Sequence, residues 1–254
     1  MTGSSREPDL GLLVLLSVIA GLVDVIGFLR LDHVFAAHIM GNFVLLLARA
    51  VGAGSPPLAQ LLSIPVFVVA VAAAYLIARR SGPSRGRGEL LAGQALLLCL
   101  VLMTTLKPRG HPPPLIAPMA AVAAMAFQNA FIRVSLHAGW TTSVTTGNVA
   151  TSILGLVGLC WPVPWTREES LQQLWATAPL VLGFMAGCLI GALCASRLGA
   201  WAWSIPAALS AVAVATGSRV PYARARAAAP SLPASAAQLS TQADPDVKRD
   251  RRGR

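Results

Sequence analysis

Apolar residues run along this chain in long blocks with no strand pattern between them. Eight blocks stand out: Leu10–Leu29, Val34–Val51, Leu61–Ala78, Leu90–Leu106, Leu115–Ile132, Thr142–Cys160, Leu174–Ala195 and Trp201–Thr216. A helix needs about 20 apolar residues to cross the hydrocarbon core of a bilayer, so the blocks are predicted to be membrane spans. The second and sixth are short and interrupted by polar residues. Six full spans plus two re-entrant or broken helices is therefore the competing count. Turn and loop chemistry separates the blocks at Gly54-Ser55-Pro56-Pro57, Ser81-Gly82-Pro83-Ser84 and His111-Pro112-Pro113-Pro114. Six tryptophans (Trp140, Trp161, Trp165, Trp175, Trp201 and Trp203) cluster at predicted span ends, where amphipathic rings prefer the headgroup level. The expected fold class is an all-α polytopic transmembrane bundle.

Composition agrees with the pattern. Of 254 residues, 55% are hydrophobic and only 12% charged, with a mean hydropathy of +0.65. A soluble domain carries about 25% charged residues, and half of that cannot give a chain this size a water-compatible surface. The net charge of +10 does not point to nucleic acid, because the cations flank apolar blocks or fall in the last residues. Residues 1–9 form a short polar lead. Residues 220–254 change to Ala, Pro, Ser and Arg and end in Lys248-Arg249-Asp250-Arg251-Arg252, a composition expected to stay disordered. Cys99, Cys160, Cys188 and Cys194 lack CxxC spacing and are expected to be small hydrophobes, so neither a metal nor a cofactor is expected.

The chain also looks doubled. Ala20–Asn42 and Ala126–Asn148 each place a polar residue inside a span, cross a cation-bearing connector and end in Gly-Asn. Each is followed by a run with an early proline, Pro65 or Pro179, that ends at arginine. Residues 10–219 are thus expected to be one duplicated transmembrane domain, with repeats of about 10–107 and 113–219. Four spans per repeat would make the repeats parallel, and three would invert them. With Thr145-Thr146-Gly147-Asn148, Asp24 and the Gln128-Asn129 pair, the chain resembles the YoaK-type bacterial membrane proteins, a family of unknown function with twin Thr-Gly-Asn signatures. Met40 stands where the first signature has threonine. The resemblance implies a polytopic inner-membrane protein without a defined activity.

Asp24 carries the strongest individual signal. A carboxylate at membrane depth costs about 2.5–3.5 kcal/mol even on insertion scales, so it usually faces a cavity or a partner. It reads either as a proton- or cation-coupling site or as a helix-end acid paired with Arg30. Gly41-Asn42 and Gly147-Asn148 are expected to open helices, with Gly41 and Gly147 as hinges and Asn42 and Asn148 lining a pathway. Interhelical hydrogen bonding is the plainer role for either asparagine. Gln128, Asn129 and Thr146 join the candidate pathway, with Thr146 the last of a hydroxyl-rich run that includes Thr141, Thr142, Ser143 and Thr145. His33, His38 and His137 are expected to be interfacial, with proton handling as the lesser alternative. Gly183, Gly187 and Gly191 recur every four residues and are expected to let helices pack closely.

No nucleophile elbow, Walker A sequence, HExxH motif or usable acid pair is present, so no catalytic residues are expected. The leading expectation is a small-solute or ion permease, with proton coupling as an option. A non-transporting scaffold or assembly factor is the alternative. The expected partners are the lipid bilayer, an unidentified small solute or ion and, as a candidate, a second copy of the chain. A multi-pass location in the cell membrane with cytoplasmic termini is expected. On an eight-span count, Arg30, Arg79, Arg80, Arg85, Arg87, Arg133 and Arg197 share the opposite side.

Overall fold

The computed structural model describes residues 10–52, 58–107, 115–136, 146–160 and 167–217. They form α1 (Leu10–Arg30), α2 (Ile39–Val51), α3 (Leu58–Leu106), α4 (Ile116–Leu136), α5 (Thr146–Cys160), α6 (Arg167–Leu198), a 3-10 turn (Gly199–Trp203) and α7 (Ser204–Gly217). No strand occurs among the described residues. The protein is an all-α membrane bundle. Five stretches are long and apolar enough to cross a bilayer: Leu10–Arg30, Leu58–Gly82, Arg85–Leu106, Ile116–Val134 and Arg167–Gly217.

Polarity is arranged for lipid. Val68, Val69, Leu96, Leu182, Met185 and Leu189 are exposed on the long helices, whereas Ser17, Asp24, Asn42, Gln60, Ser63, Gln94 and Gln128 are buried. In water, large exposed apolar patches are rare. Against acyl chains they cost nothing, and the polar groups must find partners inside.

Close contacts fix the helix directions. Gly183 lies against Val14, Gly187 against Val18, Gly191 against Leu22 and Gly199 against Arg30, so α1 and α6 run parallel. The chain turns at Gly199, where φ is +58°, and α7 runs back until Gly217 meets Leu12. Arg167–Gly217 thus makes two passes.

α3 is bent at Gly82, which has φ 76° and ψ 171°. A left-handed φ suits only glycine readily. Gly86 packs on the Ala78 backbone, so the two arms of α3 form a tight antiparallel hairpin. Leu91 of the second arm touches Gly217 beside Leu12, and Gln94 meets Gln128, which also reaches the Leu16 carbonyl. The second arm therefore rises alongside α1, and the Gly82 bend lies at the end where α1 starts. The first arm begins at the opposite end, where Gln60 donates to the His33 carbonyl. Gln94 stands twelve residues before Leu106 and Gln128 twelve after Ile116, so each terminus lies about 18 Å from the glutamine pair. A parallel α4 would need the connector stretched straight along the bundle axis to its limit. α4 therefore returns antiparallel.

Six passages result among the described residues: α1, the two arms of α3, α4, α6 and α7. The two short segments do not complete a crossing. α2 starts at the depth of Asp24 and lies beside the first turns of α3 through Asn42 and Ser63. α5 lies beside the first turns of α6, with Gly158 against Ser170 and Ser152 against Thr177. Each of the eight predicted blocks contains a described helix, but the passages follow the six-span alternative. This alters the charge map. Arg30 and Arg197 mark one end of the bundle, while Arg79, Arg80, Arg85, Arg87 and Arg133 lie at the other, beside Leu10 and Gly217.

Candidate functional site: the Asp24 and Asn42 clamp

The segment Leu31–His38 between α1 and α2 is irregular, with Asp32 and His33 both at positive φ (50° and 60°). Such backbone is tolerated at membrane depth only where protein or a water-lined cavity satisfies it. Here protein does so. Asp24 Oδ1 accepts the N–H groups of Ala36 (2.8 Å) and Ala37 (2.6 Å), and Oδ2 lies 2.5 Å from His38 Nδ1. Asn42 grips the same segment from α2: its Oδ1 accepts the Phe35 N–H (2.8 Å), and its Nδ2 donates to the Phe35 carbonyl (2.7 Å) and to Ser63 Oγ (3.0 Å). Gln60 holds the His33 carbonyl from α3 at 3.2 Å. Three helices thus clamp one connector. Phe28 stacks on Phe35 and meets His33 edge-on.

Of the two readings of Asp24, the one that pairs it with Arg30 does not hold: Arg30 packs at Gly199 instead. The Asp24 side chain is 3% exposed and that of His38 33%, so the pair runs from the interior toward the surface of the bundle. His38 also lies edge-on to Phe184 of α6, 5.1 Å between centroids. Segments from both halves of the chain thus border the pair.

The remaining candidates do not converge there. Gln128 Nε2 donates to the Leu16 carbonyl (3.0 Å), and its Oε1 accepts Gln94 Nε2 (2.8 Å), tying α4 to α1 and α3 in the core. Asn129 donates to Met125 on its own helix (2.9 Å). Gly41 sits in the first turn of α2, after its N-cap His38, rather than mid-helix; Gly147 follows Thr146, the first described residue of α5. The first amides of a helix have no intrahelical acceptor in any case, so the Gly41-Asn42 step does not interrupt a helical ladder. The Asn148 carbonyl accepts Ser152 Oγ at 2.9 Å. Nothing is described of the Thr146 side chain; His137, Trp140, Thr141, Thr142, Ser143, Thr145, Trp161, Trp165, the lead and the tail lie outside the described residues. Gly183, Gly187 and Gly191 are buried where α6 meets α1. Trp203 is buried in the core, while Trp175 and Trp201 are exposed.

Gln60, Ser63 and Gln94 were not singled out by sequence, although each is a polar residue in an apolar run. Ser63 and Thr177 each stand two residues before a proline, Pro65 or Pro179. Each bonds a polar side chain of the preceding short helix, Asn42 for Ser63 and Ser152 for Thr177. Among the described residues, no group of three or more His, Cys, Asp or Glu could hold a metal ion.

These features define a helical integral membrane protein with a polar clamp built around one intramembrane acid. The chain belongs to the DUF1275 family of proteins of unknown function, whose profile matches residues 12–216. No curated protein and no solved structure matches it.

Proposed function

We propose that the protein is a small-solute or cation permease of the cell membrane, with the Asp24–His38 pair as its proton-coupling site. One observation carries the reading. A carboxylate inside a span holds two amides of an irregular connector and an imidazole that reaches toward the surface of the bundle. A proton gained or lost at that pair changes what fastens the connector. Broken helices at the border between two repeats are the usual site architecture of secondary transporters.

The two halves are an inverted repeat on this reading. Three passages per half reverse direction, and the Ser63–Asn42 and Thr177–Ser152 pairs are its matching joints. The Gly-Asn steps then mark the start of each short helix, in keeping with the YoaK-type signature. Asn42 acts through the clamp; Gln128 and Asn129 act as packing residues. No catalytic chemistry and no cofactor is assigned. Termini are cytoplasmic, because the arginine-rich bend lies at their end.

A specific observation favours a second reading, a non-transporting scaffold. Asn42 and Gln128 are engaged by protein groups rather than turned toward an open path. Proteoliposomes loaded with a pH-sensitive dye separate the two. The permease reading expects solute- or cation-dependent proton flux that Asp24→Asn abolishes while the protein still reconstitutes. A wild-type protein that moves no protons under any imposed gradient, across a panel of cations and small polar solutes, overturns it.

A further inference from the structure

We infer that the Gly82 bend of α3 is a docking surface for the phosphate headgroups of acidic phospholipids in the leaflet on the side of the termini. The inference is independent of the permease reading. Arg79, Arg80, Arg85 and Arg87 fall within nine residues around the bend. Arg79, Arg80 and Arg85 are exposed and make no ion pair among the described residues, while Arg87 is buried. The neighbouring acid, Glu89, accepts a hydrogen bond from Ser81.

Three features make the cluster a lipid surface rather than a solvated loop. The hairpin is closed so tightly, with Gly86 on the Ala78 backbone, that the arginines of both arms are held together at its tip. Tyr75, Leu76 and Ile77, the turn just before Arg79, are exposed and apolar, so lipid tails reach the foot of the cluster. The bend also lies at the end of six membrane passages, where headgroups stand. Arginine stems can lie along apolar surface while their guanidinium groups stay at the interface, and a guanidinium suits a phosphate diester through paired N–H donors. Cations beside a membrane attract acidic lipids over zwitterionic ones.

The test uses the full chain in nanodiscs containing phosphatidylglycerol or phosphatidylcholine, with spin-labelled lipids reporting relative association. The wild type should prefer phosphatidylglycerol by at least about fivefold, an effect expected of a single interfacial cation. Arg79→Gln/Arg80→Gln/Arg85→Gln should lose most of that preference, and the lysine triple variant should keep it. Retention in the glutamine variant overturns the inference, because the cations of the last residues are intact there. Equal suppression by millimolar inorganic phosphate at constant ionic strength also overturns it, since the ligand would then be a free anion. If the triple variant does not reconstitute, Arg85→Gln alone must still lower the preference for the inference to stand.

Discussion

Asp24 and His38, fourteen positions apart, meet at 2.5 Å where the chain leaves α1 and re-enters helix as α2. The same carboxylate also holds the Ala36 and Ala37 amides. Its bonds therefore divide into a backbone part and a side-chain part. Asp24→Ala removes both and orphans two amides, each costing about 1–3 kcal/mol when buried. His38→Ala removes only the imidazole and leaves the amides bonded. Thermal unfolding in detergent should show Asp24→Ala as the more damaging by at least about 1 kcal/mol. Equal losses would mean that the connector is held elsewhere.

The α1–α6 contact makes a sharper steric prediction. A Cβ at Gly187 would collide with the Val18 carbonyl, which is backbone and cannot step aside. Gly187→Ala should destabilise by about 1–3 kcal/mol through overpacking. A Cβ at Gly88, also within a helix, would enter open space, with nothing within 4 Å. Gly88→Ala should be neutral or stabilise by up to about 1 kcal/mol, as helix propensity dictates. Matched melting curves of the two variants check the pair.

Gln94 and Gln128 bond each other at 2.8 Å in the buried core. Gln128→Leu removes the acceptor of Gln94 Nε2, and Gln94→Leu removes that donor from Gln128 Oε1. The double change removes the need for the bond, although the Leu16 carbonyl then loses its contact with Gln128. The double variant should therefore be less destabilised than the two singles summed, with a coupling of about 0.6–1.7 kcal/mol, the range typical of bonds between membrane helices. Strict additivity would show that the glutamines are not a unit.

The sequence discloses the bundle because solvation by lipid leaves its mark on every block: apolar length is enough to find the helices. It also marks Asp24, since an acid inside an apolar run is costly wherever it points. The Asp24 partner was not legible from Arg30, six residues on, because the connector folds back to offer nearer donors at Ala36, Ala37 and His38. Gln60 and Ser63 reach the clamp from a third helix. No local spacing encodes that approach, which depends on α3 beginning at the far end of the bundle. Helix direction was the hidden variable, and counting α2 and α5 as crossings placed the α3 bend on the wrong side.

That hidden variable can be measured directly. With eight crossings, Asp32 and Arg85 share one side of the membrane. With six, the end of α1 and the Gly82 bend lie on opposite sides, and Arg85 sits on the side of Leu10. Asp32 and Arg85 are both exposed, so a cysteine at either position is open to labelling. In sealed vesicles of one orientation, with Cys99, Cys160, Cys188 and Cys194 replaced by serine or alanine, a membrane-impermeant maleimide should label Asp32→Cys and Arg85→Cys from opposite faces. A cysteine placed before Leu10 should label from the same face as Arg85→Cys. Labelling of Asp32→Cys and Arg85→Cys from one face would restore the eight-crossing arrangement and overturn the proposal that the two halves are an inverted repeat.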